Sequence, residues 1–460
     1  MTSVASLPAR LEKLVGSDRV RTSESELQDF AIAGHVPTAI LKPQSGEEVA
    51  EIVRLAATEK LAVVCCGSRS KLDLGMPPQR YDLALDMTAL RQIVHYDPGD
   101  LTLSVDAGIT LQELAKALAA KNQFLPLAMP CQGTSTIGGA VVSGIDSTMR
   151  QQYGTPRDFL IGAEFVDGKG QLCKSGGRVV KNVTGYDLHK LLIGSLGTLA
   201  AVTRLNFRTF PLPELRGGHL ASFATLEAAF AFRKILLDSG LPFSNLELFD
   251  PDFSALLAEF VKNAEGGAPE MLAAPNWNVF AAFGGNEAVV QRIERELQKH
   301  SKESRAEKSG MIEGGFLAQI DDALREAFAW LRHAAPGGAV CRIVLPQFSP
   351  RDTAELLQLS RQAQQRTCFL MRAAGVAYLA LLGASEDESG IDALQRAVSQ
   401  VFSRVGEKNG SATLSHAPNW LKGKINAWGA KHRDFPLMQR VKQSFDPQNI
   451  FSPGRFVGGL

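Results

Sequence analysis

Three loops rich in glycine and hydroxyl side chains lie in the first 210 residues and could bind phosphate groups. They span residues 67–71 (GSRSK), 133–144 (GTSTIGGAVVSG) and 176–198. Backbone N–H groups can approach a phosphate closely where no Cβ intervenes, and Ser, Thr, Lys and Arg side chains add donors or positive charge. Any one of these loops on its own is more often a simple turn after a strand. Together they predict a site for a nucleotide with two phosphate groups.

Two common nucleotide-binding patterns are absent from the sequence. No G-x-x-x-x-G-K-[ST] pattern of P-loop NTPases occurs, and no G-x-G-x-x-G opens a helix. Residues 194–197 (GSLG) lead instead into a β-branched, alternating run that continues to Phe210, which predicts a strand. The sequence therefore argues against an N-terminal NAD domain. It favours a long nucleotide that lies across loops from two lobes.

The elements that hold these loops alternate between helix and strand. Apolar residues at helical spacing predict a helix over residues 47–60, and the apolar run 61–66 predicts the strand that ends at the first loop. Alternation over residues 101–106 predicts a half-buried strand, and a capping pattern predicts a helix over 111–121. Asp-Gly between two apolar runs predicts a hairpin over 161–174. This region extends to about residue 210.

Pro211 and Pro213 mark a boundary, after which the pattern changes. We expect strands at 220–223, 245–249, 278–283, 340–345, 368–372 and 377–382, and helices at 226–239, 287–300 and 353–365. This order predicts an antiparallel sheet with helices on one face. The segments 263–274 and 301–315 are rich in Gly, Lys and Glu and are predicted to be surface loops.

The order of the loops resembles the FAD-binding domain of the vanillyl-alcohol oxidase/p-cresol methylhydroxylase (PCMH) superfamily. The matching segments are 43–53 (PQSGEEVAEIV), 67–71, 105–111 (VDAGITL), 135–140 (STIGGA), 153–158 (YGTPRD), 176–203 (GGRVVKNVTGYDLHKLLIGSLGTLAAVT) and 445–455 (FDPQNIFSPGR). Within that superfamily the sequence is most similar to the FAD-binding subunit of bacterial glycolate oxidase. The segment 176–203 carries most of this similarity, since nearly every position in it fits.

The resemblance implies an α+β fold built around a two-lobed, PCMH-type FAD-binding domain. This domain would be followed by an α+β (ferredoxin-like) cap or substrate domain and by a C-terminal segment that returns to the FAD-binding domain. The expected divisions are a helical N-terminal extension over 1–34, the FAD-binding domain over 35–212, the cap over 213–433 and the returning segment over 434–460.

The resemblance also implies which residues contact the cofactor. The first loop would face the pyrophosphate, the second would line the other phosphate and the ribose, and Gly197 and Val202 would reach the adenine or the flavin through their backbone. The residues of the two loops are Gly67, Ser68, Arg69, Ser70 and Lys71, then Pro130, Thr136, Ile137, Gly138, Gly139, Ser143 and Gly144. The family usually has glycine at positions 68 and 69. We expect FAD to be retained, because hydroxyl and guanidinium groups are themselves phosphate ligands.

We expect the FAD to be noncovalently bound. Some relatives attach flavin to a His or Cys near these loops, but no His lies between His35 and His95. Cys131 lies near the second loop at a spacing that suits such a link poorly. A packed thiol is the commoner role of a free cysteine.

A 2-hydroxy acid substrate would need a cation for its carboxylate and a base for its hydroxyl proton. The second half offers Arg332, His333, Arg342 and Arg372. Arg455 and Lys181 are candidates for a cation near the pyrimidine end of the flavin ring, and replacing Arg455 by Ala would then lower the reduction potential. Related catalytic flavoproteins carry a metal cluster of histidines and acids in this domain. The eight histidines here form no H-x-H or H-E-x-x-H group, so we expect no metal.

Composition narrows the classes of partner. Lys and Arg total 49 and Asp and Glu total 48, and this balance argues against nucleic acid and against an anionic membrane surface. The six cysteines form no C-x-x-C pair, so an iron–sulfur cluster held by this chain alone is not expected. The apolar run 376–382 is far shorter than the ~20 residues of a spanning helix. We expect a cytoplasmic protein that reaches a membrane only through partners.

Three functions remain open from the sequence. The resemblance implies a FAD-binding subunit of a glycolate or other 2-hydroxy acid oxidising complex, in which a sister flavoprotein binds the substrate and an iron–sulfur subunit passes electrons onward. The chain could instead be a self-sufficient FAD oxidase or dehydrogenase of another alcohol or a lactone. It could also be a scaffold subunit that has lost the cofactor. Fold alone does not decide among these functions.

Overall fold

The structure is a computed structural model. It describes residues 7–177, 185–261, 272, 275–334, 337–363, 365–372, 375–383 and 387–460, with only the backbone described over 328–334. The candidate Lys181 and nearly all of the predicted loop 263–274 lie outside these residues.

The first lobe is a four-stranded sheet covered by a long helix. Its elements are α1 (Leu7–Val15), β1 (Val20–Arg21), α2 (Glu24–Gln28), β2 (Ala39–Leu41), α3 (Gly46–Glu59), β3 (Val63–Cys66) and β4 (Leu83–Asp86). The strand order is β1-β2-β4-β3, in which β2, β4 and β3 run parallel and β1 pairs antiparallel with β2. The N-terminal extension therefore supplies an edge strand of this sheet as well as helices.

The second lobe is a five-stranded antiparallel sheet with helices packed against it. Its elements are β5 (Ile93–Asp97), β6 (Thr102–Asp106), α4 (Leu111–Ala119), β7 (Gln123–Phe124), α5 (Ile137–Ser143), α6 (Arg150–Tyr153), α7 (Pro156–Phe159), β8 (Leu160–Val166), β9 (Leu172–Gly176), β10 (Ala201–Arg208) and β11 (Phe210–Pro211). The order is β5-β6-β10-β8-β9, and β7 pairs separately with β11. The predicted hairpin corresponds to β8 and β9.

The cap is built on an eight-stranded antiparallel sheet. Its elements are β12 (Leu215–Phe223), α8 (Leu226–Asp238), β13 (Phe243–Phe249), α9 (Pro251–Val261), β14 (Trp277–Gly285), α10 (Glu287–Glu303), β15 (Lys308–Ile312), α11 (Gly314–Ala334), β16 (Ala339–Val344), α12 (Pro350–Gln362), β17 (Thr367–Arg372), β18 (Val376–Leu381), α13 (Glu388–Glu407), β19 (Ser411–His416) and α14 (Asn419–Lys422). The strand order is β15-β12-β14-β13-β17-β18-β16-β19. The antiparallel sheet agrees with the prediction.

The prediction that the helices lie on one face of this sheet is wrong. Phe369 and Met371 of β17 pack in the core that contains α8, α10, α12 and α13, whereas their neighbour Leu370 packs in the core that contains α9 and α11. Successive side chains of a strand point to opposite faces, so α9 and α11 cover the second face. The segment 301–315 is also not a loop, because α10 extends into it and β15 forms the edge of the sheet.

The last residues return to the FAD-binding domain, as predicted. After α15 (Phe435–Phe445), the chain runs beside β3, where the Val63 N–H donates to the Ile450 carbonyl (2.7 Å) and the Ser452 N–H donates to the Val63 carbonyl (2.9 Å). The buried Lys442 ammonium donates to the carbonyls of Thr198 (2.7 Å) and Phe451 (3.0 Å). The segment thereby contacts both lobes.

The pH dependence of stability should report on Asp250, a buried carboxyl group of the cap. One oxygen accepts the Phe253 N–H (2.8 Å), and the other has no hydrogen-bond partner among the described residues. Burial raises the pKa of Asp250 to about 7. Because this folded-state pKa lies above that of the unfolded chain, the stabilising contribution is complete at acid pH and is lost as the pH rises through 7.

We therefore expect Asp250→Asn to increase the free energy of unfolding by about 2 to 4 kcal/mol at pH 8 and by little near pH 4.5. Urea unfolding at the two pH values measures the difference. Asp238→Asn is the matched control, because the Asp238 side chain is exposed at the end of α8. An identical pH dependence in wild type and Asp250→Asn would contradict this account.

Candidate functional site

The first loop follows β3 and is tied to the second loop by hydrogen bonds. The Lys71 ammonium donates to the hydroxyls of Ser70 (3.3 Å) and Ser135, and these two hydroxyls lie 3.1 Å apart. Arg69 has a φ of 64°, a left-handed conformation that favours glycine. The chain therefore keeps the turn of a glycine-rich loop although glycine is replaced at this position.

The two loops approach so closely at Gly67 that no side chain fits there. A Cβ at this position would lie 2.1 Å from Oγ1 of Thr136. Thr136 is the N-cap of α5, and its Oγ1 accepts the Gly139 N–H at 3.2 Å. The side chain that limits position 67 thus also fixes the start of α5.

A cleft lies along these two loops. The residues that line it are Cys65, Cys66, Gly67, Ser68, Arg69, Ser70, Lys71, Leu72, Thr136, Gly139, Val142, Ser143, Leu196 and Arg455. Among these described residues three are cationic and none is acidic. Serine hydroxyls, close backbone and positive charge form a donor set that suits a diphosphate. The residues present therefore fit a dinucleotide such as FAD.

The Arg69 side chain lies against the first lobe. Its guanidinium carbon is 4.4 Å from the centre of the Phe30 ring, and Phe30 does not line the cleft. A guanidinium over an aromatic face is an attractive contact. Arg69 therefore links the first loop to the segment that precedes β2. The prediction that it faces the pyrophosphate stays a prediction.

Arg455 lies at the end of the cleft and binds the chain that follows the first loop. Its guanidinium is buried and donates to the carbonyls of Leu72, Leu74 (2.7 Å) and Met76 (3.4 Å). In this structure Arg455 positions residues 72–76, and its predicted role beside the flavin ring stays a prediction.

Replacing Arg455 by Met should weaken FAD binding about 10- to 100-fold, because three backbone carbonyls lose their donor and residues 72–76 are held less firmly. Titration of the apo-protein with FAD, followed by flavin fluorescence, measures the change. Arg433→Met is the matched control, since Arg433 is exposed. Unchanged affinity would argue against the positioning role. A lowered midpoint potential in Arg455→Ala would instead support the predicted role beside the ring.

Some predicted FAD contacts do not line this cleft. These residues are Pro130, Ile137, Gly138, Gly144, Gly197 and Val202. The Ile137 side chain is buried in the core of the second lobe, and a Cβ at Gly144 would lie 2.7 Å from Cα of Gly194. Their assigned contacts stay predictions.

Other lining residues were missed by the sequence reasoning. Cys65, Cys66 and Leu72 directly flank the first loop, and Val142 follows Gly139 by one helical turn, so spacing alone could have found them. Leu196 belongs to the third glycine-rich loop, which the sequence does single out, although Leu196 itself is not among the predicted contacts.

Burial raises the pKa of both thiols that line the cleft, Cys65 and Cys66. All six cysteines are free, and burial raises the pKa of the Cys66 thiol, which lines the cleft, to about 12. Cys66 is therefore protonated at neutral pH. Within the described ranges, no group of three or more His, Cys, Asp and Glu side chains could hold a metal ion, and no helix is long and apolar enough to span a bilayer.

The predicted substrate arginines lie where the cap meets the FAD-binding domain. Arg342 Nε donates to the Asp146 carboxylate (2.7 Å), and Arg372 Nε donates to the Glu247 carboxylate (2.9 Å). Each of the two arginines is thus paired with an acid of its own chain. The side chains of Arg332 and His333 lie outside the described residues, and their predicted roles stay predictions.

A second cavity, of about 200 Å³, separates α4 from the cap. One wall is apolar and includes Leu111, Leu114 and Leu118, and the opposite wall includes Arg216 and Asn245. Glu326 of α11 links the cap to the second lobe, because its carboxylate accepts the N–H groups of Cys131 (2.7 Å) and Gln132 (3.3 Å). The cavity offers room for a molecule of only a few heavy atoms.

Comparison with known families agrees with this geometry. Residues 37–176 match the FAD binding domain family, and residues 212–456, more than half of the chain, match the C-terminal domain of FAD linked oxidases. The chain belongs to the FAD-linked oxidases. This membership confirms FAD as the cofactor and confirms the predicted superfamily.

Several relatives of this FAD-linked oxidase carry functional names. Glycolate oxidase subunit GlcD of Bacillus subtilis (strain 168) is 23% identical and covers 91% of this chain and 89% of its own. Glycolate oxidase subunit GlcE of Escherichia coli (strain K12) is 35% identical over 201 residues, which are 44% of this chain and 57% of that protein. D-lactate dehydrogenase of Anaerostipes hadrus is 26% identical and covers 97% of each chain.

The fold of this FAD-linked oxidase is shared with solved structures. The crystal structure of p-cresol methylhydroxylase with substrate bound superposes on this chain with a TM-score of 0.77 at 15% identity. The match covers 97% of this chain and 95% of that one. This similarity confirms the α+β architecture predicted from the sequence. At such identity it shows the fold alone.

Proposed function

We propose that this chain is the FAD-binding subunit of a complex that oxidises glycolate or another 2-hydroxy acid at its CH–OH group. The observation that carries the proposal is the cationic cleft in which the glycine-rich loops of the two lobes meet. In the proposed complex a sister flavoprotein binds the substrate and an iron–sulfur subunit accepts the electrons. The chain itself binds no nucleic acid, inserts no segment into a membrane and remains in the cytoplasm, except where partners bring it to a membrane.

The residues of the cleft have distinct roles in this proposal. Lys71 and the hydroxyls of Ser68 and Ser70 hold the diphosphate, and Gly67 and Gly139 let the backbone approach it. Arg455 positions residues 72–76, which follow the first loop. FAD, noncovalently bound, supplies a two-electron acceptor. The chain supplies binding, orientation and positive charge.

Two observations support a subunit without its own 2-hydroxy acid site. Arg342 and Arg372, the best-placed cations of the cap, already bind carboxylates of this chain. Two relatives are named as subunits of glycolate oxidase, one over nearly the whole chain and one over less than half of it.

A self-sufficient FAD-linked oxidase or dehydrogenase of another alcohol or a lactone is the second candidate. It is favoured by the cavity between α4 and the cap and by the coverage of the D-lactate dehydrogenase relative over 97% of each chain. A scaffold without cofactor is the third candidate, and the fit of the cleft to a dinucleotide opposes it.

Anaerobic titration of the purified chain with a panel of 2-hydroxy acids separates these functions. We expect a yellow protein whose flavin absorption does not bleach with glycolate or D-lactate alone and bleaches when partner subunits are added. Bleaching of the isolated chain would favour the self-sufficient enzyme, and a colourless chain that takes up no FAD would favour the scaffold. Affinity purification from the native cell identifies the partners.

A further inference from the structure

A buried aspartate of the FAD-binding domain lies in the middle of a positively charged cluster of the cap. Asp146 belongs to the segment between α5 and α6, and it is 6% exposed. Its carboxylate accepts hydrogen bonds from Arg342 Nε (2.7 Å) and the Tyr378 hydroxyl (3.2 Å), and its backbone carbonyl accepts one from Arg372 Nη1 (3.0 Å). Its carboxylate also pairs with Arg150 of its own segment.

The cap residues of this cluster are placed by the sheet and not by a loop. Arg342 of β16 and Tyr378 of β18 lie opposite each other in the antiparallel register. Arg372 of β17 comes from the strand on the other side of β18. Three adjacent strands therefore present two guanidinium groups and a phenol toward one point. Groups on a rigid sheet are held ready for an anion without further ordering.

Positive charge is in excess in this cluster even with Asp146 present, and Asp146 reduces that excess. Its arginines are Arg150, Arg233, Arg342 and Arg372, and its carboxylates are Asp146 and Glu247. Burial opposes ionisation of Asp146, but the charges of Arg342, Arg150 and Arg372 outweigh burial and lower the pKa of this carboxyl group. Asp146 is therefore ionised at neutral pH. With Asp146 removed, the arginines of the cluster would keep only Glu247 as a carboxyl partner among the described residues, and burial raises the pKa of Glu247 to about 7.

We propose that the three cap side chains form a binding site for a small carboxylate and that Asp146 is the internal ligand of this site. While the cap is docked, Asp146 keeps external carboxylates out. A guanidinium Nε–H, a second guanidinium and a hydroxyl are the donors that recognise a carboxylate group, and here they contact one from the same chain. This inference deepens the proposed function, because it explains why a 2-hydroxy acid would be bound elsewhere. It rests on the proposed function only for that explanation.

Chemical rescue tests the site. Asp146→Ala removes a carboxylate group and leaves a space of the size of formate, so formate should occupy it. We expect the Tm of the full chain to fall by about 3 to 5 °C in Asp146→Ala, since a buried ion pair loses one partner. At about 50 mM sodium formate we expect at least half of this loss to be recovered, because a ligand that binds only the folded state stabilises it. Acetate and glycolate, which are larger, should rescue less.

Three control proteins show whether the effect of formate is specific to this site. Wild type and Asp238→Ala, a change at an exposed aspartate, should not respond to formate beyond matched sodium chloride. Asp146→Ala/Arg342→Met lacks a main donor and should lose the rescue. An Asp146→Ala protein that formate does not stabilise, or that chloride stabilises equally, overturns the proposal. So does a saturable formate response in wild type that Arg342→Met abolishes, because the site would then be open to external carboxylates.

The test still applies if the Asp146→Ala protein is poorly soluble. Recovery of Asp146→Ala only in buffers that contain formate supports the proposal in the same way. If that variant is insoluble under both conditions, Asp146→Ser enters the same assay with the same expected and contradicting results. These measurements use no turnover, so a chain that fails to pass electrons to partners would refute the proposed function and leave this site untouched.

Discussion

Gly67→Ala should lower the affinity for FAD by about 100-fold or more, because the added Cβ cannot be accommodated where the two loops meet. It would lie 2.1 Å from Oγ1, 3.0 Å from Cγ2 and 3.1 Å from Cβ of Thr136. The clash is relieved only if Thr136 moves, which would also disturb the cap of α5, or if the two loops separate. Apo-protein titrated with FAD and followed by flavin fluorescence gives the dissociation constant.

The same contact supplies a rescue for this variant. Gly67→Ala/Thr136→Ala lacks the hydroxyl and the methyl group that oppose the new Cβ, so part of the affinity should return. Gly406→Ala is the matched control, because a Cβ there meets nothing within 4 Å and lies in α13, where alanine is favoured over glycine. Gly67→Ala protein that binds FAD as tightly as wild type would show that the loops can separate without cost.

Lys442→Met should destabilise the protein by about 3 to 5 kcal/mol, as expected when a buried ion pair loses one partner. The Lys442 ammonium lies 2.7 Å from the Asp446 carboxylate and donates to two backbone carbonyls, which belong to Thr198 and Phe451. Asp446 is 1% exposed, so its charge would be left buried without a cation. Urea unfolding monitored by circular dichroism measures the loss.

A surface pair provides the comparison for Lys442. Lys234→Met removes the partner of Asp238, but both side chains are largely exposed, so we expect a change within about 0.5 kcal/mol. Lys442→Met/Asp446→Asn should recover part of the loss because the second change removes the unpaired charge. Equal stabilities of Lys442→Met and wild type would mean that the C-terminal segment is held by its apolar contacts alone.

Local patterns were sufficient to predict most elements and the first loop. The helix α3, the strand β3 and the hairpin of β8 and β9 follow from apolar periodicity and turn residues, which depend on neighbours in sequence. The glycine at position 67 was singled out for the same reason. Its contact with Thr136 depends on how two lobes pack, which no local pattern contains.

The polarity pattern of its strands does not reveal that helices cover both faces of the cap sheet. Asn245 and Glu247 of β13 have the polar character of a strand with one exposed face, yet both are buried. Glu247 tolerates burial because Arg372 pairs with it from the adjacent strand. Such pairing joins residues 125 positions apart, so alternation alone cannot reveal it. For the same reason no local pattern indicates that Asp146 contacts Arg342.

The distance in sequence between the first loop and Arg455 has a consequence for biosynthesis. Arg455 binds the Leu72 carbonyl from 383 positions away, and the whole cap is encoded between them. At 5 to 20 residues per second a ribosome needs about 20 to 80 s to make that stretch. During this time the nascent chain exposes a nucleotide pocket without its closing residue. Cofactor capture is thus expected to be a late, post-translational event, and flavin supply should affect the yield of finished protein more than the folding of the emerging N-terminal lobe.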